Sequence, residues 1–321
     1  QGDASLEPWA RRNLSHGQSP PRTRRPQSSG DRSGARTLGM SAGRAASRTA
    51  LMVAAYRGRA SSGAYPVCDD PWALRLAGDE GLELSHRWDQ HSPSMELWMG
   101  LRTRFLDDCV VRAIDRGIQQ VVILGAGLDT RAARLAREGV RFFEVDQPAS
   151  QADKRERVSR FSDYPLDAAS FVACDFERDD FVSRLAGAGF EGGLPALVLW
   201  EGVIYYLLES AARETLCRVA SELDPRSLLV FDYLNTKMAR SSSRLRPEDR
   251  AMKGIIDELG EPMQFGIDDP TPLMAECGYR FLRTVSFDEL ALQYTGTYAR
   301  ERFFRFQSIA ITSAAEEPQG W

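Results

Sequence analysis

Val121-Val122-Ile123-Leu124-Gly125-Ala126-Gly127-Leu128-Asp129-Thr130-Arg131 is the stretch on which the reading of the fold turns. Four branched aliphatic residues without a polar interruption predict a buried strand. Two glycines end it and a helix-like segment follows, so backbone amides at that helix N-terminus can approach a ligand with no Cβ in the way. A Gly-x-Gly turn alone does not choose the ligand, because dinucleotide oxidoreductases and S-adenosylmethionine enzymes both use one.

Working outward, short β-branched runs at 120–124, 140–146, 170–174, 196–200 and 228–233 alternate with helical segments. That alternation predicts βαβ units, hence an α/β fold with a doubly wound, mostly parallel sheet, Rossmann-like in plan. Residues 279–287 and 304–312 read as two more strands, forming a terminal antiparallel hairpin on the sheet edge. The Arg/Ser-rich run 240–250, with a helix expected over 248–259, interrupts the rhythm; an insert over about 235–270 is read as a lid.

Upstream, amphipathic helices are expected over 45–57 and 95–113, the second from Trp98, Leu101, Phe105 and Cys109 at helical spacing. Residues 40–118 therefore form a helical cap on the domain at 119–321. Residues 1–39 carry seven arginines and four prolines among few apolar side chains, and are expected to be a disordered extension.

The chain has 321 residues, 43% of them hydrophobic and 27% charged, enough to bury one large core or two modest ones. A net charge of −4 gives no global attraction to nucleic acid or anionic lipid. No apolar run approaches the roughly 20 residues that cross a bilayer. Neither a nucleic-acid nor a membrane partner is expected, and nothing specifies an oligomeric state. Five widely spaced cysteines without a CxxC pair argue against a disulfide framework and a structural zinc site, and so for a reducing cytoplasm.

Asp146 ends the second strand 21 residues after Gly125, where a carboxylate can accept hydrogen bonds from both ribose hydroxyls of a nucleoside. The third glycine of a dinucleotide fingerprint is missing, since Thr130 stands in its place, which favours a ligand without phosphates. Asp175, followed by Phe176, ends the third strand and Glu201 the fourth. Side chains at the C-terminal ends of successive parallel strands share one crevice, so Asp146, Asp175 and Glu201 converge on one cationic or hydroxyl-rich guest. Metal binding is the competing use of three acids, but residues 119–321 contain no histidine and no DxD-type cluster, so no metal is expected.

Three phrases together, Leu124-Gly125-Ala126-Gly127-Leu128-Asp129-Thr130-Arg131, Phe143-Glu144-Val145-Asp146-Gln147-Pro148 with Lys154, and Trp200-Glu201-Gly202-Val203-Ile204-Tyr205-Tyr206-Leu207, resemble the leucine carboxyl methyltransferase family. The likeness spans roughly 45–313 and is nearer the bacterial small-molecule O-methyltransferase branch than the eukaryotic phosphatase-modifying branch, from which the Arg102–Asp108 stretch and the run after Glu201 depart. It implies S-adenosyl-L-methionine as cofactor, with Gly125, Ala126 and Gly127 against its methionine part and Asp146 on the ribose. It further implies that Asp175 and Phe176 bracket the adenine and that Glu201 faces the amino group. A cap arginine meets the methionine carboxylate in this family; Arg104 fits best, and Arg102 is the alternative.

Methyl transfer from a sulfonium is an in-line displacement dominated by positioning. A carboxylate acceptor is already a nucleophile at neutral pH, whereas a hydroxyl needs a base. Candidates for that role, or for orienting the acceptor, are His86, His91, Tyr205 and Tyr206. The expected function is O-methylation of a carboxylate or hydroxyl of a small molecule, as in secondary metabolism. Two other readings stay open: an NAD-dependent oxidoreductase, which would leave Asp175, Glu201 and Arg104 without a shared purpose, and a non-catalytic binding protein that keeps the methyltransferase fold.

Overall fold

The computed structural model describes residues 47–176, 178–240, 245, 250, 253–254, 257, 259–297, 305–316, 318 and 321. The extension at 1–39 and most of the helix expected over 248–259 lie outside them. Three helices come first: α1 (Arg48–Ser62), α2 (Ala73–Asp89) and α3 (Met95–Asp115). Then follow β1 (Gln120–Leu124), α4 (Arg131–Leu135), β2 (Arg141–Asp146), α5 (Pro148–Val158), β3 (Ala169–Ala173), α6 (Phe181–Gly187) and β4 (Leu197–Trp200). The chain continues through α7 (Glu209–Glu222), β5 (Leu228–Leu234), α8 (Thr236–Arg240), α9 (Pro270–Glu276), β6 (Phe281–Ser286), α10 (Phe287–Thr295) and β7 (Gln307–Ser313).

The strands form one seven-stranded sheet in the order β3-β2-β1-β4-β5-β7-β6, parallel except for β7. Every residue of β1, β4 and β5 is buried, as strands covered on both faces must be. Strand order reverses between β1 and β4, and a crevice at such a switch point is where open α/β sheets bind ligands.

The last two strands form the expected antiparallel pair on the sheet edge, but not as a tight hairpin. β7 lies between β5 and β6, and α10 occupies the connection, opened by a capping box between Ser286 and Glu289. Burial explains the order: six of the seven residues of β7 are buried, whereas β6 exposes Arg283 and Thr284 and so takes the edge.

The cap contains one helix more than the periodicity predicts. α2 is bent at Gly78 and crosses α1 closely, because a Cβ on Gly81 would stand 2.6 Å from the Leu51 carbonyl oxygen. Of the late insert, 261–269 is an extended strap over the turn after β4: Gln264 and Phe265 donate backbone N–H groups to the Tyr205 carbonyl at 2.7 and 3.2 Å, and Ile267 donates to Leu234 at 2.8 Å.

Contrary to the unpaired-cysteine expectation, Cys217 on α7 and Cys277 after α9 form a disulfide, while Cys68, Cys109 and Cys174 are buried free thiols. A spacing of 60 residues carries no signal of such a pair; α9 brings its end beside α7, with the two Cα atoms 4.3 Å apart. The pair removes the cysteine-based ground for a reducing compartment. No helix among the described residues is long and apolar enough to cross a membrane.

Candidate functional site

β1 delivers the chain into Gly125 and Gly127, both at positive φ (65° and 46°). A Cβ at Gly125 would run into Cγ2 of Val203, so the turns after β1 and β4 touch only because this residue is glycine. Gly125 donates its N–H to the Val145 carbonyl at 2.7 Å, holding the turn against β2. Asp146, at the end of β2, accepts from Gly127 N through Oδ2 and from Gln147 N through Oδ1, each at 2.6 Å. Burial raises its carboxyl pKa in spite of those two donors. The Ser150 side chain is a third donor to Asp146, and of about four acceptor sites on a carboxylate one is left.

The β4–β5 register pairs Trp200 with Phe231, so the residues that follow, Glu201 and Asp232, lie side by side. Asp232 accepts from Arg102 Nη1 (2.7 Å), Gln307 Nε2 (2.8 Å) and the Gly202 amide (2.6 Å). Glu201 accepts from Arg131 Nη1 at 2.6 Å and stands 2.9 Å from Arg102 Nε. Burial works against its charge, but the Arg131 and Arg102 guanidiniums hold its pKa below the ordinary carboxylate value.

These contacts belong to one unbroken chain of ion pairs, Arg57–Asp70–Arg134–Asp107–Arg131–Glu201–Arg102–Asp232, with Asp129 joined to Arg131 as a branch. It threads all the way from α1 through α3 and the Gly turn to β4 and β5. Five carboxylates face four guanidiniums, leaving one negative charge in excess, and buried charge of that sign calls for a cation. A separate buried pair, Lys154 and Glu144 at 2.5 Å, supports the turn from beneath, with Lys154 also donating to the Asp129 carbonyl.

The crevice thus brings together Gly125, Ala126, Gly127, Asp146 and Glu201. Asp175 and Phe176 follow β3 two strands away, both half-buried, with Phe176 tilted against Phe181. Arg104 is a correction: it points outward from α3, half exposed, to Asp108 at 3.0 Å and the Tyr294 ring, while Arg102 is the buried arginine at the rim. Residue 102 lies nearer the buried stripe of α3 than residue 104 does, and that decides between them. His86 and His91 are a second correction. Both are exposed at the end of α2, His86 beside Asp89 at 3.6 Å, because that end of the helix faces solvent.

Tyr205 and Tyr206 stack edge to face at 4.7 Å beneath the strap, and burial drives both hydroxyls well above their ordinary pKa. Asp232 was missed, although an aspartate inside Leu-Leu-Val-Phe-Asp-Tyr-Leu is a sequence signal of a buried charge awaiting a partner. Arg131 lay within the quoted motif but read only as a helix start.

The sequence profile of the family described as leucine carboxyl methyltransferase matches residues 50–220. The chain is 31% identical over 277 residues to a protein of Mycolicibacterium gilvum named "Putative S-adenosyl-L-methionine-dependent methyltransferase", covering 80% of this chain and 85% of that one. A protein of the same name from Mycolicibacterium vanbaalenii is 33% identical over 276 residues, covering 80% and 86%. Among solved structures, a DUF574 family protein from Streptomyces avermitilis superposes with a TM-score of 0.60 at 13% identity, covering 84% of this chain and 98% of that one.

Proposed function

The chain belongs to the leucine carboxyl methyltransferase family and is an S-adenosylmethionine-dependent methyltransferase, and we propose that it methylates an oxygen of a small molecule, a carboxylate in preference to a hydroxyl. One observation carries the preference: among the described residues, none of the candidate bases is placed for the role, and the raised carboxylate of Asp146 is assigned to the ribose. Residues 119–321 contain no histidine, His86 and His91 are exposed on the cap, Tyr205 and Tyr206 are raised by burial, and Glu201 is neutralised by two arginines. A hydroxyl acceptor would need a base. A carboxylate needs only to be desolvated and aligned.

The residues present fit the cofactor. Arg131 Nη2 is buried without a hydrogen-bond partner among the described residues, and Arg102 Nη2 donates to the weakly accepting Met99 thioether at 3.2 Å, with the Tyr205 hydroxyl also bonded to that guanidinium, which leaves guanidinium donors for a carboxylate. Asp146 retains acceptor capacity for a ribose hydroxyl, and Gly125 presents bare backbone where a Cβ would strike Val203. In this reading Glu201 meets the amino group, Asp175 and Phe176 flank the adenine, and Arg102 takes the carboxylate role expected of Arg104. When bound, S-adenosylmethionine supplies the electrophilic methyl group. The excess negative charge of the ion-pair chain favours a cationic guest.

The test is methyl transfer from labelled S-adenosylmethionine to matched small carboxylic acids and alcohols. The account expects a methyl ester, recognised by release of labelled methanol in alkali. Label that appears only in alkali-stable ethers or amines would sink it.

A further inference from the structure

Arg131 is nearly solvent-free and spends its nitrogens on three segments at once. Nε donates to Asp107 of α3 at 2.8 Å, while Nη1 donates both to Glu201 after β4 at 2.6 Å and to Asp129 of the Gly turn. Asp129 in turn accepts the Arg131 amide at 2.6 Å, so the guanidinium is fixed from its own backbone outward. We propose that Arg131 is a positioning residue for the cofactor: it sets the orientation of the Glu201 carboxylate and locks cap helix α3 to the Gly turn, so that the amino-group contact and the glycine backbone are presented in one fixed relation. This rests on Glu201 meeting the cofactor's amino group, as argued above.

Lysine cannot replace it, because a single ammonium cannot span three carboxylates held on three elements. The groups facing Glu201 are Arg131 from α4, Arg102 from α3, Arg57 from α1, Asp129 from the turn, and Asp232 and Tyr205 from β5 and the turn after β4. A lysine ammonium drawn to Asp107 and Asp129 gives up the 2.6 Å contact that the guanidinium makes with Glu201, so burial and Asp129 act on Glu201 with less opposition and its protonation moves to higher pH. An amino group is held only by the ionised form, so affinity then begins to fall at a higher pH than in the wild type.

The experiment is calorimetric titration of the full chain with S-adenosylhomocysteine from pH 5 to 8, using wild type, R131K, E201Q and R131K/E201Q. R131K should weaken binding by about 10-fold to 100-fold, the range for losing a hydrogen bond to a charged group. Its acid limb should move to higher pH, and the double variant should be little worse than E201Q alone. Wild-type affinity in folded R131K, or a loss that is flat with pH and additive with E201Q, overturns the proposal. Should R131K not fold, D107N, which frees one anchor of the guanidinium and spares the Glu201 contact, carries the comparison: weaker binding coupled to E201Q supports the proposal, and unchanged binding overturns it. Absence of wild-type binding would instead contradict the cofactor reading itself.

Discussion

Arg102 and Asp232, 130 residues apart in sequence, meet at 2.7 Å with side chains 3% and 0% exposed. The pair fastens the cap helix α3 to the centre of the sheet, and the same guanidinium reaches Glu201. Replacing Arg102 by methionine takes the ion-pair partner from Asp232 and leaves Glu201 with Arg131, and breaking a buried pair in this way costs about 3–5 kcal/mol. Urea unfolding should show the midpoint falling at an unchanged slope. A loss below about 1 kcal/mol, the scale of an exposed ion pair, would contradict this burial.

Gly125 is required twice, by its positive φ and by Val203 above it. Gly125→Ala should destabilise the protein by about 1–3 kcal/mol, the range for strain at a special backbone position. Adding Val203→Ala should recover the steric part and leave the conformational part. Full recovery in the double variant would mean that φ imposes no cost.

Asp129 is pushed up by burial but held down to about 2 by Arg131, Arg57, Lys154 and the Arg131 amide. Its folded pKa lies below its unfolded one, so its contribution is complete above about pH 4 and is lost as pH falls toward 2, about 2 kcal/mol in all. Asp146, Glu144 and Asp232, raised by burial, act with the opposite sign. The stability gap between wild type and Asp129→Asn should narrow from pH 5 to pH 2.5; a constant gap would exclude the assignment.

Denatured, unreduced protein should titrate with three thiols and reduced protein with five, since Cys217 and Cys277 are joined. Closing a loop of this length stabilises by about 4 kcal/mol on a chain-entropy estimate, so reduction should lower the thermal midpoint. Five thiols before reduction would disprove the bridge.

The parallel strands were legible because short, mainly apolar runs recur between helical segments and turn residues, and Asp146 and Glu201 because they stand at the ends of such runs. α2 was lost to Gly78 and Gly81, which depress a helical reading: Gly78 makes the bend, and Gly81 is what lets α1 approach. The position of β7 inside β6 was hidden because chain order does not specify which of two neighbouring strands takes the edge. Arg102 was distinguishable from Arg104 by its closeness to the Trp98, Leu101, Phe105 and Cys109 face. The arginine–carboxylate chain was not legible, because its links join residues up to 130 positions apart.

The central claim is that the crevice at Gly125, Asp146 and Glu201 holds S-adenosylmethionine. Calorimetric titration of wild type and Asp146→Ala with S-adenosylmethionine, S-adenosylhomocysteine and NAD tests it directly. S-adenosylmethionine and S-adenosylhomocysteine should bind and NAD should not, with a loss of about 1–3 kcal/mol in the variant from unpaired ribose hydroxyls. Binding of NAD alone, or undiminished affinity in the folded variant, would contradict it.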